Sequence, residues 1–215
     1  MLMRLEELNA YVWRGSNTSS VRPVIPTGFS SLDRQLPGGG WPSRSVTEVF
    51  VDQYGIGELT LLMPALTSLT RQDDAAEKKW LVWVAPPFIP YAPALQRHGV
   101  KIDRLLFVDP SAERINILWA VEQIVRSGST AAVLGWVTAA SGVVLRRLQL
   151  ASEQQGCWTI LFRPIGALRN RSPAALRLRL SHEGSITRVQ ILKSRGGRPT
   201  VVDLQMDQPD SGELQ

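Results

Sequence analysis

Residues 46–66, VTEVFVDQYGIGELTLLMPAL, decide the fold. An apolar strand from Val46 to Val51 runs into a loop with two glycines, Gly55 and Gly57, and a helix-like run is expected from Glu58 to Thr70. Strand, glycine loop and helix in that order form the layout of a phosphate-binding loop, whose backbone N–H groups wrap phosphate oxygens. Such a loop also needs a lysine for the outer phosphates and a Ser/Thr for magnesium. Thr60 is present, but Glu58 stands where the lysine is wanted. A carboxylate there repels a polyanion, so the loop reads as a retained connection with no phosphate to hold.

Working outward, the same alternation repeats. WLVWVAPP (80–87) is an apolar run suited to a strand buried on both faces, TAAVLGWV (130–137) reads as another buried strand, and RLLFVDP (104–110) and WTILFRP (158–164) read as further strands. Between them lie YAPALQRHGV (91–100), AERINILWAVEQIVRSG (112–128) and GVVLRRLQLASEQQG (142–156), which carry helical periodicity and end at glycine or just before it. Repeated strand–helix units with short connections predict an α/β fold, a parallel sheet covered by helices on both faces. Upstream, TGFSSLDRQL (27–36) predicts a short helix with Ser30 as its N-cap, and PGGGWPS (37–43) breaks it. The last third changes period. LRLRLS, ITRVQILK and TVVDLQM alternate with period two and predict antiparallel strands at the C-terminal edge, with one face solvated and the arginines of LRLRL on a common side.

The predicted organisation is an N-terminal helix and linker over 1–22, a core domain over 23–205 and a polar, acidic tail over 206–215 expected to be disordered. Leu2, Leu5, Leu8 and Val12 recur at helical spacing, and with Trp13 they form an apolar stripe too short to stand alone. That stripe is a candidate partner contact.

Bulk properties narrow the function. The 215 residues are 44% hydrophobic and 20% charged, ordinary for a globular protein, so wholesale disorder is not expected. No apolar run is long enough to span a bilayer, and the first 16 residues lack the h-region of a signal peptide. One cysteine (Cys157) and two distant histidines (His98, His182) offer neither a disulfide framework nor metal-ligand spacing. The expectation is a cytoplasmic protein without cofactor, metal or membrane. The net charge of +5 is uneven. Nine basic residues between Cys157 and Pro199 face the single acid Glu183, and the rest of the chain is net negative. Arg169, Arg171, Arg177, Arg179, Lys193, Arg195 and Arg198 are therefore candidates for binding DNA without sequence preference, or an acidic partner surface.

The order of these pieces resembles the RecA-type ATPase core, over about residues 25–205. IPTGFSSLDRQLPGGGWPSRSVTEVF is similar to that family's lead-in segment, and PALQRHGVKIDRLLFVDP and ILWAVEQIVRSGSTAAVLGWV resemble its next two units. The resemblance implies a lysine at the loop, a glutamate ending the next strand and an aspartate ending a later one. Here Glu58, Pro86-Pro87 and Gly135 stand at those places, so the chain is expected not to be an enzyme. Trp136, with Trp83 and the two prolines, is expected to fill the vacated nucleotide site.

Two families resemble such a core without the ATPase parts: ImuA, a companion of ImuB in damage-induced mutagenesis, and SulA, an SOS inhibitor of the division protein FtsZ. Residues 58–164 resemble both. The segment TGFSSLD, the VWRG after the first helix, and SPAALRLRL and ILKSRGGRP in the extension resemble ImuA. That resemblance implies an accessory protein of SOS translesion synthesis, with an ImuB-type polymerase-like subunit as partner, and RecA and DNA as further candidates. The alternative is a SulA-like division inhibitor binding FtsZ.

Overall fold

The computed structural model describes residues 23–71, 79–110 and 116–206. The expected N-terminal helix with Leu2, Leu5, Leu8, Val12 and Trp13, the linker, and the tail beyond Met206 lie outside the described residues.

Ten strands and five α-helices are defined there. A two-stranded ribbon, β1 (Val24–Ile25) with β2 (Trp41–Pro42), flanks α1 (Ser30–Asp33). The main sheet contains β3 (Val46–Val51), β4 (Trp80–Val84), β5 (Leu105–Val108), β6 (Thr130–Trp136), β7 (Trp158–Pro164), β8 (Leu176–Glu183), β9 (Ile186–Ser194) and β10 (Thr200–Gln205). Their spatial order is β10-β9-β8-β3-β7-β6-β4-β5. The crossover helices are α2 (Met63–Arg71), α3 (Ala92–Arg97), α4 (Ile117–Arg126) and α5 (Gly142–Gln155). This is the mixed α/β architecture anticipated, mainly parallel and with antiparallel pairing at the C-terminal edge. One refinement concerns β8, which pairs parallel to β3 and antiparallel only to β9, so β9 alone runs against the rest.

Strand alternation explains the two layers. In β4, Leu81 and Trp83 join one core with Leu32, Leu62, Leu66 and Leu95 of the α1–α3 side, whereas Val82 and Val84 join a second with Val121, Val125, Leu145 and Leu148 of α4 and α5. Each fully buried residue of this size contributes roughly 1.5–3 kcal/mol. The first layer runs across all eight strands, through Leu178, Ile191 and Val202. The second stops at β3, and on β8 its side is taken by Arg177 and Arg179. The C-terminal strands thus have one solvated face, as their period-two pattern predicted.

Helix boundaries follow local chemistry. Asn116 caps α4 by accepting from Leu118 N (2.9 Å), and Ser141 caps α5 by accepting from Val144 N (3.3 Å). Gly156, at φ 68°, closes α5 in the left-handed conformation glycine tolerates. Two expectations are corrected. Ser30 does not cap α1; the cap position is Phe29, and Asp33 instead reaches back to Thr27 N (2.9 Å). The helix anticipated from Glu58 starts at Met63, because residues 58–62 form turns. Pro64 falls in the first helical turn, where a missing N–H breaks no helical bond.

Candidate functional site

The carboxyl ends of β3, β4, β6 and β7 form the region where an open α/β sheet ordinarily places a ligand. Here the loop after β3 is closed by its own side chain. Glu58 is buried, and its carboxylate accepts hydrogen bonds from Gly55 N (2.8 and 3.0 Å to its two oxygens) and Ile56 N (3.0 Å). Backbone N–H groups of the kind that would meet phosphate therefore meet a carboxylate supplied three residues later. Gly55 and Gly57 have φ of 89° and 102°, which lets the loop curl around that carboxylate. Burial and the neighbouring Glu58 charge push the Tyr54 phenol above its ordinary pKa, so it stays protonated in this setting. A Cβ on Gly57 would meet the terminal methyl of Met206, just past β10, so that side chain packs against the loop. Thr60 is half-buried, and its carbonyl accepts from Met63 N (3.3 Å).

The neighbouring strand ends are filled with rings. Trp83 meets Phe107 edge-on (5.5 Å between centroids) and Trp136 at a tilt (5.7 Å), while Trp136 stacks on Phe162 (4.8 Å). This row joins β5, β4, β6 and β7. Trp83 and Trp136 supply the bulk expected of them, but Pro86 and Pro87 do not: Pro86 is half-buried and Pro87 exposed, and the phenylalanines complete the row. Gly135 lies under α4, where an added Cβ would sit 3.0 Å from Val121. A side chain at the place the resemblance gives to an aspartate would have to displace Val121 by a few tenths of an ångström.

The basic candidates are scattered among internal partners. Arg177 Nε donates to Glu48 (2.9 Å) and its Nη2 to the Leu168 carbonyl (3.2 Å). Arg179 pairs with Asp52 (3.4 Å), Arg195 with Glu153 (2.8 Å), and Lys193 Nζ donates to the Ser172 carbonyl (2.8 Å). Burial, with Arg177 and Arg195 nearby, lowers the Lys193 pKa. Arg169, Arg171 and Arg198 are exposed and have no ion pair among the described residues. Arg177, Arg179 and Arg195 are thus engaged with acids of the fold and Lys193 with a backbone carbonyl, while Arg169, Arg171 and Arg198 keep exposed charges.

The residue that sequence reasoning missed is Glu48. It is fully buried and bridges Arg163 and Arg177, whose guanidinium groups lie 5.8 and 4.9 Å from the Phe50 ring. An acid inside the apolar run VTEVFV was the available signal. Cys157 is buried, and burial raises its pKa, as an inert thiol requires.

Near these strand ends an open depression of about 440 Å³ lies between Thr138–Ser141 and the Pro164–Asn170 turn. Among the described residues, no cluster of three or more His, Cys, Asp or Glu could hold a metal, and no helix is long and apolar enough to cross a membrane.

No known family model matches the chain. Over 112 residues it is 30% identical to the cell division inhibitor SulA of Photorhabdus laumondii, a match covering 52% of this chain and 62% of that protein. SulA of Serratia marcescens is 26% identical over 119 residues (55% of this chain, 67% of the relative), and SulA of Edwardsiella piscicida 27% over 119 residues (54% and 68%). The chain is a weak homologue of SulA proteins over about half its length.

Proposed function

We propose that this chain is a non-catalytic protein of the SOS response that works by binding other proteins on a RecA-like sheet. The observation carrying the reading is Glu58, whose carboxylate holds the loop N–H groups that a nucleotide phosphate would need. No lysine balances it, and rings fill the strand ends beside it. Saturation binding with a fluorescent ATP analogue tests the absence of nucleotide binding; a saturable signal at millimolar concentration would overturn it.

For the partner, the comparisons favour the division-inhibitor reading, since the matched relatives are named for that activity. On this reading the partner is FtsZ. The purified chain is then expected to block GTP-driven FtsZ assembly in a sedimentation assay, and its overexpression to give filamentous cells. Normal assembly at equimolar protein would sink the reading.

A second reading, the ImuA-type mutagenesis accessory with an ImuB-type partner, is favoured by how the chain's two flanking segments are built in. Trp41 of the lead-in stacks on Trp158 (5.6 Å), Leu32 and Leu36 are buried, and β8–β10 complete the sheet. A match of 112–119 residues is too short to include both segments with the core between them. Co-purification with the ImuB-type subunit in the absence of any FtsZ effect would decide for this reading. RecA remains a candidate partner. Direct DNA contact would draw chiefly on Arg169, Arg171 and Arg198.

A further inference from the structure

The loop after β4, residues 85–91, has the opposite character to the loop after β3. Its side chains Phe88, Ile89 and Tyr91 are 71%, 96% and 68% exposed, and beside it on the sheet edge Leu106 and Phe107 are 43% and 48% exposed. Singly exposed apolar residues are ordinary, but three within four positions of one loop are not. The loop is also held in shape. Pro86, Pro87 and Pro90 fix three of its φ angles, and Pro93 follows in the first turn of α3. Ala85 adopts φ 53°, a left-handed conformation disfavoured for alanine, while its N–H donates to the Val108 carbonyl (2.9 Å). Trp83, just before it, is clamped between Phe107 and Trp136.

We propose that this proline-braced loop is the centre of the protein's docking surface, and that Phe88, Ile89 and Tyr91 insert into an apolar groove on a protein partner. The proposal rests on the protein-binding reading above and names the surface that reading requires. Two features identify the partner's chemistry. No charged residue occurs from Ala85 to Gln96 in a chain that is 20% charged, so the complementary surface is uncharged and apolar. Ile89 is almost wholly exposed, and two copies of this loop set against each other would bury only on the order of 800 Å² in total, less than the roughly 1,200 Å² of a stable dimer. The three side chains offer on the order of 400 Å² of apolar surface, about half of one side of a standard interface. That is the scale of a central anchor cluster within a larger contact, and a rigid loop loses little entropy on binding.

The test compares the full chain with the triple variant Phe88→Ser, Ile89→Ser, Tyr91→Ser, and with a control, Val143→Ser with Leu150→Ser, which alters exposed apolar residues of α5. Binding to purified FtsZ and to the ImuB-type subunit is measured by calorimetry, and mass in solution by light scattering. The expected result is at least tenfold weaker binding for the triple variant to whichever protein the full chain binds, with an unchanged thermal midpoint and a control that binds normally. Equal binding by the triple variant would overturn the docking surface while leaving the protein-binding reading intact. Failure of the unmodified chain to bind either protein would remove that reading and this proposal together. A dimer of the full chain that the triple variant abolishes would make a second copy the occupant and overturn the proposal as stated.

Discussion

Two strand–loop units at the same end of the sheet solve the same problem by different chemistry. In residues 46–62 the organising groups are carboxylates: Glu48 binds two arginines, Asp52 holds Arg179, and Glu58 ties down the loop backbone. In residues 80–91 they are rings and prolines, with Trp83 packed between Phe107 and Trp136 and a loop that presents its apolar side chains outward. The first unit has turned a ligand-binding architecture inward, satisfying its own donors. The second leaves its binding capacity unspent. The position of a loop in a fold therefore does not by itself identify a site; what matters is whether its groups already have partners.

The largest effects should come from breaking what lies beneath each unit. Glu48→Ala leaves Arg163 and Arg177 without their shared counter-charge in a buried setting, and is expected to destabilise by about 3–5 kcal/mol. Trp83→Ala removes the centre of the aromatic row and is expected to cost about 3–5 kcal/mol. Urea unfolding measures both. If Glu48→Ala is much milder than Trp83→Ala, the carboxylate-organised description of the first unit fails.

Next in size is Glu58→Ala, expected to lower stability by about 1–3 kcal/mol by leaving Gly55 and Ile56 N–H groups without an acceptor. It should not restore nucleotide binding, since no lysine is supplied and Met206 still covers Gly57. Saturable ATP-analogue binding by this variant would show that the carboxylate alone closes the site. Phe88→Ser and Ile89→Ser, on the second unit, should each change stability by less than about 0.5 kcal/mol because the replaced side chains are exposed; a larger loss would mean that the loop is structural. The smallest effect concerns Cys157: burial holds its thiol protonated, so it should react with a thiol reagent only on unfolding, and rapid labelling of the native protein would contradict its burial.

Much of this was legible beforehand because periodicity records burial. The runs WLVWV, TAAVLGW and WTILFRP became strands covered on both faces, and LRLRLS, ITRVQILK and TVVDLQ became strands with one wet face, since alternation fixes which side chains can be hidden. Local rules failed where a side chain chose a non-local or backward partner. Ser30 suits an N-cap, yet Asp33 reaches back to Thr27 instead. Helical spacing begins at Glu58, but its side chain folds back onto Gly55, and the helix waits until Met63. Arg177 and Arg179 share a side of β8 as their spacing required, but there Arg177 meets the buried Glu48 of β3 and Arg179 forms an exposed pair with Asp52, just past β3.

The sequence by itself therefore determined the strand–helix alternation and the change of period in the last third, because both depend on residue type and spacing along the chain. Tertiary structure alone decided which charges were free. Glu48 and Arg163 are 115 positions apart in the chain and in contact in the fold. Net charge is additive along a sequence, but a charge's availability depends on its neighbours in space, and those neighbours are set by the order in which the strands assemble.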